Sequence, residues 1–266
     1  MASAVSDLSN RQANDTRFNK EAAAWDSRPG IHKASKHACG AILAQLNSLA
    51  PEKPLHELEV LEIGCGTGVL SFLLAPHVKR IVAVDAAEGM IDVLKQKLDK
   101  PDAPRNIVAL ALLLEDPEDP SLPPAEPSKP DGPRLKFDLI TSHLVLHHIP
   151  DLTAVLQTMH ECLAPDGRVM LTDFQDFGPE AQRFHARSRM EGVCRHGIAT
   201  LAMEALMLQA GFVEVEVEPK WTMSKTVERF DGEFGEVGMQ KEGMGKQMDF
   251  PFVLCCGVKE ARHVLS

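Results

Sequence analysis

The chain has 266 residues, 44 % of them apolar and 25 % charged, enough for one large domain with a real core. Its net charge of −10 argues against a general electrostatic grip on nucleic acid or on an anionic membrane, both of which need basic patches. Six cysteines without a C-x-x-C pair give no legible zinc or disulfide framework, no run is apolar enough to span a bilayer, and the polar start lacks a signal-peptide core, so a cytoplasmic protein with reduced thiols is expected.

Residues 1–16 are polar and read as a flexible start. "FNKEAAAWD" (18–26) has helical composition, and in 31–50 Ile31, Ala34, His37, Ala38, Ile42 and Leu46 recur near a 3.6-residue period until "PEKP" breaks it. Strands then alternate with helices. Strands are expected at 59–64, 80–85, 106–114, 137–143 and 168–174, with helices at 69–78, 86–100 and 152–164. In the 86–100 helix Met90, Leu94 and Leu98 share one side. Short apolar strands alternating with helices mean a mostly parallel sheet covered on both faces.

The stretch 117–133 carries seven prolines in seventeen residues, so it reads as an exposed loop in place of the helix due between strands three and four. Residues 175–196 are polar and expected to be helical. A helix is expected at 201–212, a half-exposed strand in the alternating "VEVEVE" (213–218) and a last strand at 250–259, which brings the strands to seven. Between these two strands, 219–249 is polar, glycine-rich and spotted with methionine, and reads as an insert.

The most informative stretch is "VLEIGCGTGVL" (60–70). Gly64, Gly66 and Gly68 follow an apolar strand and open a helix, where glycine lets the backbone turn sharply and approach a ligand. Asp85 ends the second strand 21 residues after Gly64, placed for a carboxylate to accept both ribose hydroxyls of a nucleoside. A dinucleotide fingerprint needs G-x-G-x-x-G, and that spacing puts Val69 at the third glycine. Glu62, inside the strand end, would repel a pyrophosphate but suits a ligand with ammonium and sulfonium charges.

"VLEIGCGTG" resembles the first motif of the class I S-adenosylmethionine-dependent methyltransferases. "VAVDAAEGMI", "FDLITSHLVLHHIPD" and "LAPDGRVMLTDF" resemble later motifs in the family's order, and the whole is most similar to the small-molecule group related to ubiquinone and menaquinone biosynthesis. That group often opens with a helix like "FNKEAAAWD". The resemblance implies an α/β, Rossmann-like, seven-stranded fold: a single methyltransferase domain over 17–266, with an N-terminal helical lid (17–50) and cap or insert segments at 175–200 and 219–249. It implies S-adenosyl-L-methionine as cofactor and a small-molecule methyl acceptor as partner. Glu62 and the backbone of Gly64, Cys65, Gly66, Thr67 and Gly68 would hold the amino-acid end. Asp85 and Ala86 would border the ribose, and Met90 the adenine. Leu114 and Glu115 would also border the adenine, although "LLLEDPEDP" leaves the choice open there with Asp116. Ser142 and His143 would border the cofactor after strand four, and Trp25, with Phe18, would close over it.

Methyl transfer from a sulfonium leans on alignment, and a base helps when the acceptor is a hydroxyl or a protonated amine. Acceptor-side candidates are His143, His147, His148, Asp173, His185 and His196. His143, His147 and His196 are the catalytic candidates, His148 is read as structural, and His185 is the weaker position. No acidic or cysteine ligand set accompanies the histidines, so no metal is expected. Methionines 223, 239, 244 and 248 are candidates to line an apolar acceptor pocket. The competing readings are a protein methyltransferase, docked through the proline loop or the acidic surface, and a non-catalytic cofactor-binding regulator.

Overall fold

The computed structural model describes residues 16–49, 53–236, 238 and 240–261, so the flexible-start reading and Met239 lie outside the described residues. Helix α1 (16–25) and α2 (Pro29–Ser48) precede the sheet. The strands are β1 (Glu59–Ile63), β2 (Arg80–Asp85), β3 (Ile107–Ala111), β4 (Phe137–His143), β5 (Leu163–Phe174), β6 (Val213–Val227) and β7 (Lys246–Val258). Between them run α3 (Val69–Leu74), α4 (Glu88–Leu98), α5 (Leu152–Cys162) and α6 (Thr200–Gln209).

The sheet order is β3-β2-β1-β4-β5-β7-β6. The first five strands are mutually parallel, and β7 lies antiparallel between β5 and β6. Residues of a strand alternate between faces, and the two cores follow that period. Leu61, Ile63, Val82 and Val84 pack with α5 and α6 through Leu156, Met159, Met203 and Met207. Val60, Ile81 and Ala83 pack with α2, α3 and α4 through Ile42, Leu46, Leu74, Ile91 and Leu94. Each fully buried aliphatic chain here contributes roughly 1.5–3 kcal/mol. Glu62 falls on the second face, against an otherwise apolar layer.

A third cluster joins Ala34, Phe174, Phe184, Met223, Val227, Phe250 and Phe252 beyond the carboxyl end of β5. It exists because β6 and β7 are longer than the sequence pattern suggests. The 219–249 stretch is not one insert: 219–227 continues β6 and 246–249 begins β7, which leaves 228–245 as the connection. Pro219 and the register shift around Trp221 hid this. Pro219 cannot donate to the ladder, and it is tolerated because β6 is the sheet edge. The long hairpin therefore overhangs the crevice at the end of β4 and β5.

Two further expectations are corrected. Residues 175–196 hold no α-helix but two short 3₁₀ turns, Pro179–Phe184 and Arg187–Arg189. Pro179 and the left-handed Gly178 and Gly192 interrupt any longer helix. Strand β3 ends at Ala111, so Leu112–Glu115 is irregular chain. The proline loop is irregular as expected, and Arg134 ties it together. Its guanidinium donates to the carbonyls of Pro120, Leu122, Pro130 and Gly132.

Candidate functional site

Between β1 and β4 the direction of strand progression reverses, and the crevice at the carboxyl ends of the strands is the expected ligand site of such a sheet. A cavity of about 960 Å³ opens there. At one end lies the turn from β1 into α3. Gly64, Gly66 and Gly68 all have positive φ (71°, 54° and 78°). Gly64 N and Cys65 N donate to Val84 O at 2.8 and 3.0 Å, which fastens the loop to β2. A side chain at Gly64 would meet Val145 at 2.4 Å. Asp85 accepts from Gly66 N at 2.7 Å and Ala87 N at 2.8 Å, so its carboxylate is aimed along the loop.

The Glu62 carboxyl reaches the same end, takes the Ser71 hydroxyl at 2.5 Å and has no cation partner among the described residues. Burial pushes its pKa up to about 8, with Asp85 adding to the rise. Below that pH it is a neutral acid in wait of positive charge. Asp26 behaves oppositely. Burial raises its pKa, but hydrogen bonds from Lys97 (2.7 Å) and Thr67 (2.5 Å) outweigh this and hold it below the usual carboxylate range. These bonds lock the end of α1 onto the glycine loop. Trp25 lies within 5.6 Å of Phe18, and both pack with Ala22, Ala87 and Met90.

The other end is built around histidines. Asp173, fully buried, accepts from His147 Nδ1 at 2.9 Å through both oxygens and from the backbone amides of His147 (3.1 Å) and Phe174 (2.9 Å). A carboxylate only accepts, so Nδ1 of this ring carries a proton, and in the neutral tautomer that Asp173 selects the lone pair is on Nε2. That Nε2 is buried, with no partner among the described residues. His143 Nδ1 meets Thr172 Oγ1 at 2.8 Å, and its Nε2 is likewise without a partner. Burial lowers its pKa to about 4, and that of His148 to about 2. His185 is held well below the usual imidazole range, again mainly by burial. These three are neutral at physiological pH.

His147, His148 and His185 offer ring nitrogens within 4.8 Å of one another, and no sequence spacing predicts that trio because His185 comes from a separate turn. Positive charge already borders it: Arg17 Nη2 stands 3.5 Å from His148 Nε2, and Lys225 acts on His185.

A family model for the "Methyltransferase domain" matches residues 31–217. The chain belongs to the class I S-adenosylmethionine-dependent methyltransferases. An uncharacterised methyltransferase of Schizosaccharomyces pombe is 29 % identical over 144 residues, 53 % of this chain and 46 % of that one. A malonyl-[acyl-carrier protein] O-methyltransferase of Priestia megaterium is 27 % identical over 167 residues, 62 % and 52 % of the two chains. The chain thus spans about half the length of these curated relatives. The crystal structure of the YcgJ protein from Bacillus subtilis superposes with a TM-score of 0.63 at 19 % identity, covering 85 % of this chain and 99 % of that one, which shows the shared fold.

The cofactor of this class is S-adenosylmethionine, and the residues present fit it. A buried carboxyl without a cation partner suits its ammonium, and at Gly66, where a Cβ would meet nothing nearer than Trp25 Nε1 at 4.0 Å, the backbone is open to a ligand. Twelve of the positions expected to border it line the cavity: Trp25, Glu62, Gly64, Cys65, Gly66, Thr67, Asp85, Ala86, Met90, Leu114, Glu115 and His143. Gly68 and Ser142 do not. Gly68 faces Leu94, and Ser142 is fully buried with its carbonyl facing Thr172 Oγ1 at 3.4 Å.

Among the catalytic candidates, His143 and His147 line the cavity and His196 does not. The segment after His196 pairs with the chain leaving β5, Ile198 N donating to Phe174 O, which directs it away. Of the candidate methionines, Met223 lines the cavity, while Met244 and Met248 do not. Sequence reading missed Arg17, Arg28, Arg183, Arg189 and Lys225, which all reach the wall. They come from α1, the turn after it, the two 3₁₀ turns and β6, and only the α1 position and the hairpin overhang bring them together.

Proposed function

We propose that this protein moves a methyl group from S-adenosylmethionine to a protic oxygen of a small organic molecule. The observation that carries the reading is one continuous cavity. It runs from Glu62, the glycine loop and Asp85 to His147, whose ring Asp173 holds from behind. When bound, the cofactor supplies a methyl carbon activated by a sulfonium. Glu62 would hold its ammonium and the 64–67 backbone its amino-acid end. Asp85 would hold the ribose, and Met90 with Leu114 would flank the adenine.

On the acceptor side His147 Nε2 accepts the proton of the attacking hydroxyl, while Asp173 fixes the tautomer and stabilises the imidazolium that forms. His143 and His185 offer hydrogen bonds from neutral rings. Arg17 and Lys225 beside the trio favour imidazoles acting as hydrogen-bonding groups over imidazoles bound to a cation. An oxygen acceptor agrees with the O-methyltransferase name of the Priestia relative. A half-enclosed cavity with mostly apolar walls suits a small organic molecule.

The test is methyl transfer from labelled S-adenosylmethionine into a cell extract split by size. Label in the sub-kilodalton fraction, lost in Asp173→Asn and in His147→Ala, supports the reading. Label confined to the protein fraction would overturn it in favour of a protein target.

A further inference from the structure

The protein is strongly acidic, yet the acceptor half of its cavity is not. Arg17, Arg28, Arg183, Arg189 and Lys225 line that wall. The nearby carboxylates are already engaged. Glu21 pairs with Arg28 at 2.9 Å. Glu228 accepts from the backbone amides of Arg187 (2.8 Å) and Phe234 (2.9 Å). Several of the cations are engaged too. Arg17 Nη1 donates to the carbonyls of Arg189 and Glu191, and Arg183 Nη2 to those of Glu228 and Arg229.

Lys225 differs. Its Nζ donates to the carbonyl of Phe184 and sits 3.8 Å from the Phe184 ring centroid. No carboxylate stands within ion-pair distance of it among the described residues. An ammonium has three donors, so two are left for the cavity. Burial, with Arg189 and Arg28 nearby, lowers its pKa to about 8, the mark of a cation whose charge is not answered. Met223 and Val227, two residues either way along β6, share its face and are buried. The site is thus a cation set in an apolar strip. Its neighbour through Phe184 is His185, whose ring lies 5.0 Å from that of His147.

We propose that Lys225 anchors an oxyanion group, carboxylate or phosphate, carried by the methyl acceptor, with the apolar body of that acceptor lying along Met223 and Val227 and its protic oxygen toward His147. The proposal rests on the methyl-transfer reading and narrows its substrate to an anionic small molecule. Coulomb attraction in a half-enclosed site makes such a contact selective: a neutral analogue leaves the ammonium unpaired.

The experiment uses the full chain saturated with S-adenosylhomocysteine and titrated calorimetrically with benzoate, phenyl phosphate and neutral benzamide. Binding of at least one oxyanion tenfold or more tighter than benzamide is expected. The preference should be lost in Lys225→Met and kept in Lys225→Arg, with S-adenosylhomocysteine affinity unchanged in both as the check on folding. Stronger binding of benzoate than phenyl phosphate assigns a carboxylate, and the reverse assigns a phosphate. The absence of any oxyanion preference, or a preference that survives in Lys225→Met, overturns the proposal and leaves the methyltransferase reading standing. Failure to bind S-adenosylhomocysteine would sink that reading instead.

Discussion

A buried carboxyl is worth having only if something arrives to share its charge, and Glu62 is such a group. Desolvation holds its pKa near 8 in the free protein, so at pH 7 it is mostly protonated. A cationic ammonium bound beside it favours the ionised form. Cofactor binding below pH 8 therefore releases close to one proton per site, and affinity falls toward tenfold per pH unit as pH drops from about 8 to 6. Calorimetry of S-adenosylhomocysteine in buffers of different ionisation enthalpy measures that proton directly. In Glu62→Gln the proton release vanishes and binding weakens at every pH. A wild-type affinity flat between pH 6 and 8 would mean that the carboxyl does not meet the ammonium. Glu62 was legible in the sequence because a charge two residues before a glycine loop is out of place in an apolar strand. Lys225 was not, because in "KWTMSKTVE" it is one polar residue among many and only the hairpin reveals its surroundings.

The elements show the same division. Strands β1 to β5 are short apolar runs that period and flanking glycines identify, and the connections between parallel strands leave little freedom in how they assemble. The overhanging half of the β6–β7 hairpin is polar on one side and opened by a proline, so local pattern reads it as insert. Cross-strand pairing makes it strand, and the floor of the acceptor site depends on it. Tertiary contacts also decide the proline loop. Arg134→Ala strips the donor from four carbonyls, and limited proteolysis should then cut within 117–133 while cofactor affinity stays unchanged. Gly68 tests the glycine loop as structure rather than as ligand surface. At φ +78° an alanine Cβ would meet Leu94 Cδ1 at 2.5 Å. Gly68→Ala is expected to cost about 2–3 kcal/mol in urea unfolding, with S-adenosylhomocysteine affinity within about threefold of wild type. A variant of full stability would show that α3 and α4 shift to make room.

Across the whole molecule the two ends of the cavity pull stability in opposite directions with pH. Below pH 6.5 an unfolded chain protonates His143, His148 and His185, whereas the folded chain keeps all three neutral down to far lower pH. The unfolded state therefore binds three more protons there, and stability is lost as pH falls from about 6.5 toward 4. Glu62 has the opposite sign. The folded chain keeps its proton between about pH 4.5 and 8 while the unfolded chain has lost it, so this group alone makes stability fall as pH rises. In the lower part of the window three minus one leaves a net two protons favouring the unfolded state on acidification. Between about pH 6.5 and 8 only the carboxyl contributes, since Lys225, lowered to about 8, acts on the alkaline side of that range. Stability of the cofactor-free protein is thus expected to peak near pH 6.5. Once the histidines of the unfolded chain are charged it should fall by about 2–3 kcal/mol per pH unit on the acid side, and it should fall by about 1 kcal/mol or less per unit up to pH 8. Saturating S-adenosylhomocysteine ionises Glu62 in the folded state, removes the alkaline decline and moves the peak upward. Urea unfolding at half-unit steps from pH 5 to 8.5, with and without the ligand, reads both effects. A free protein whose stability climbs steadily to pH 8 would show that Glu62 is already ionised before any ligand arrives.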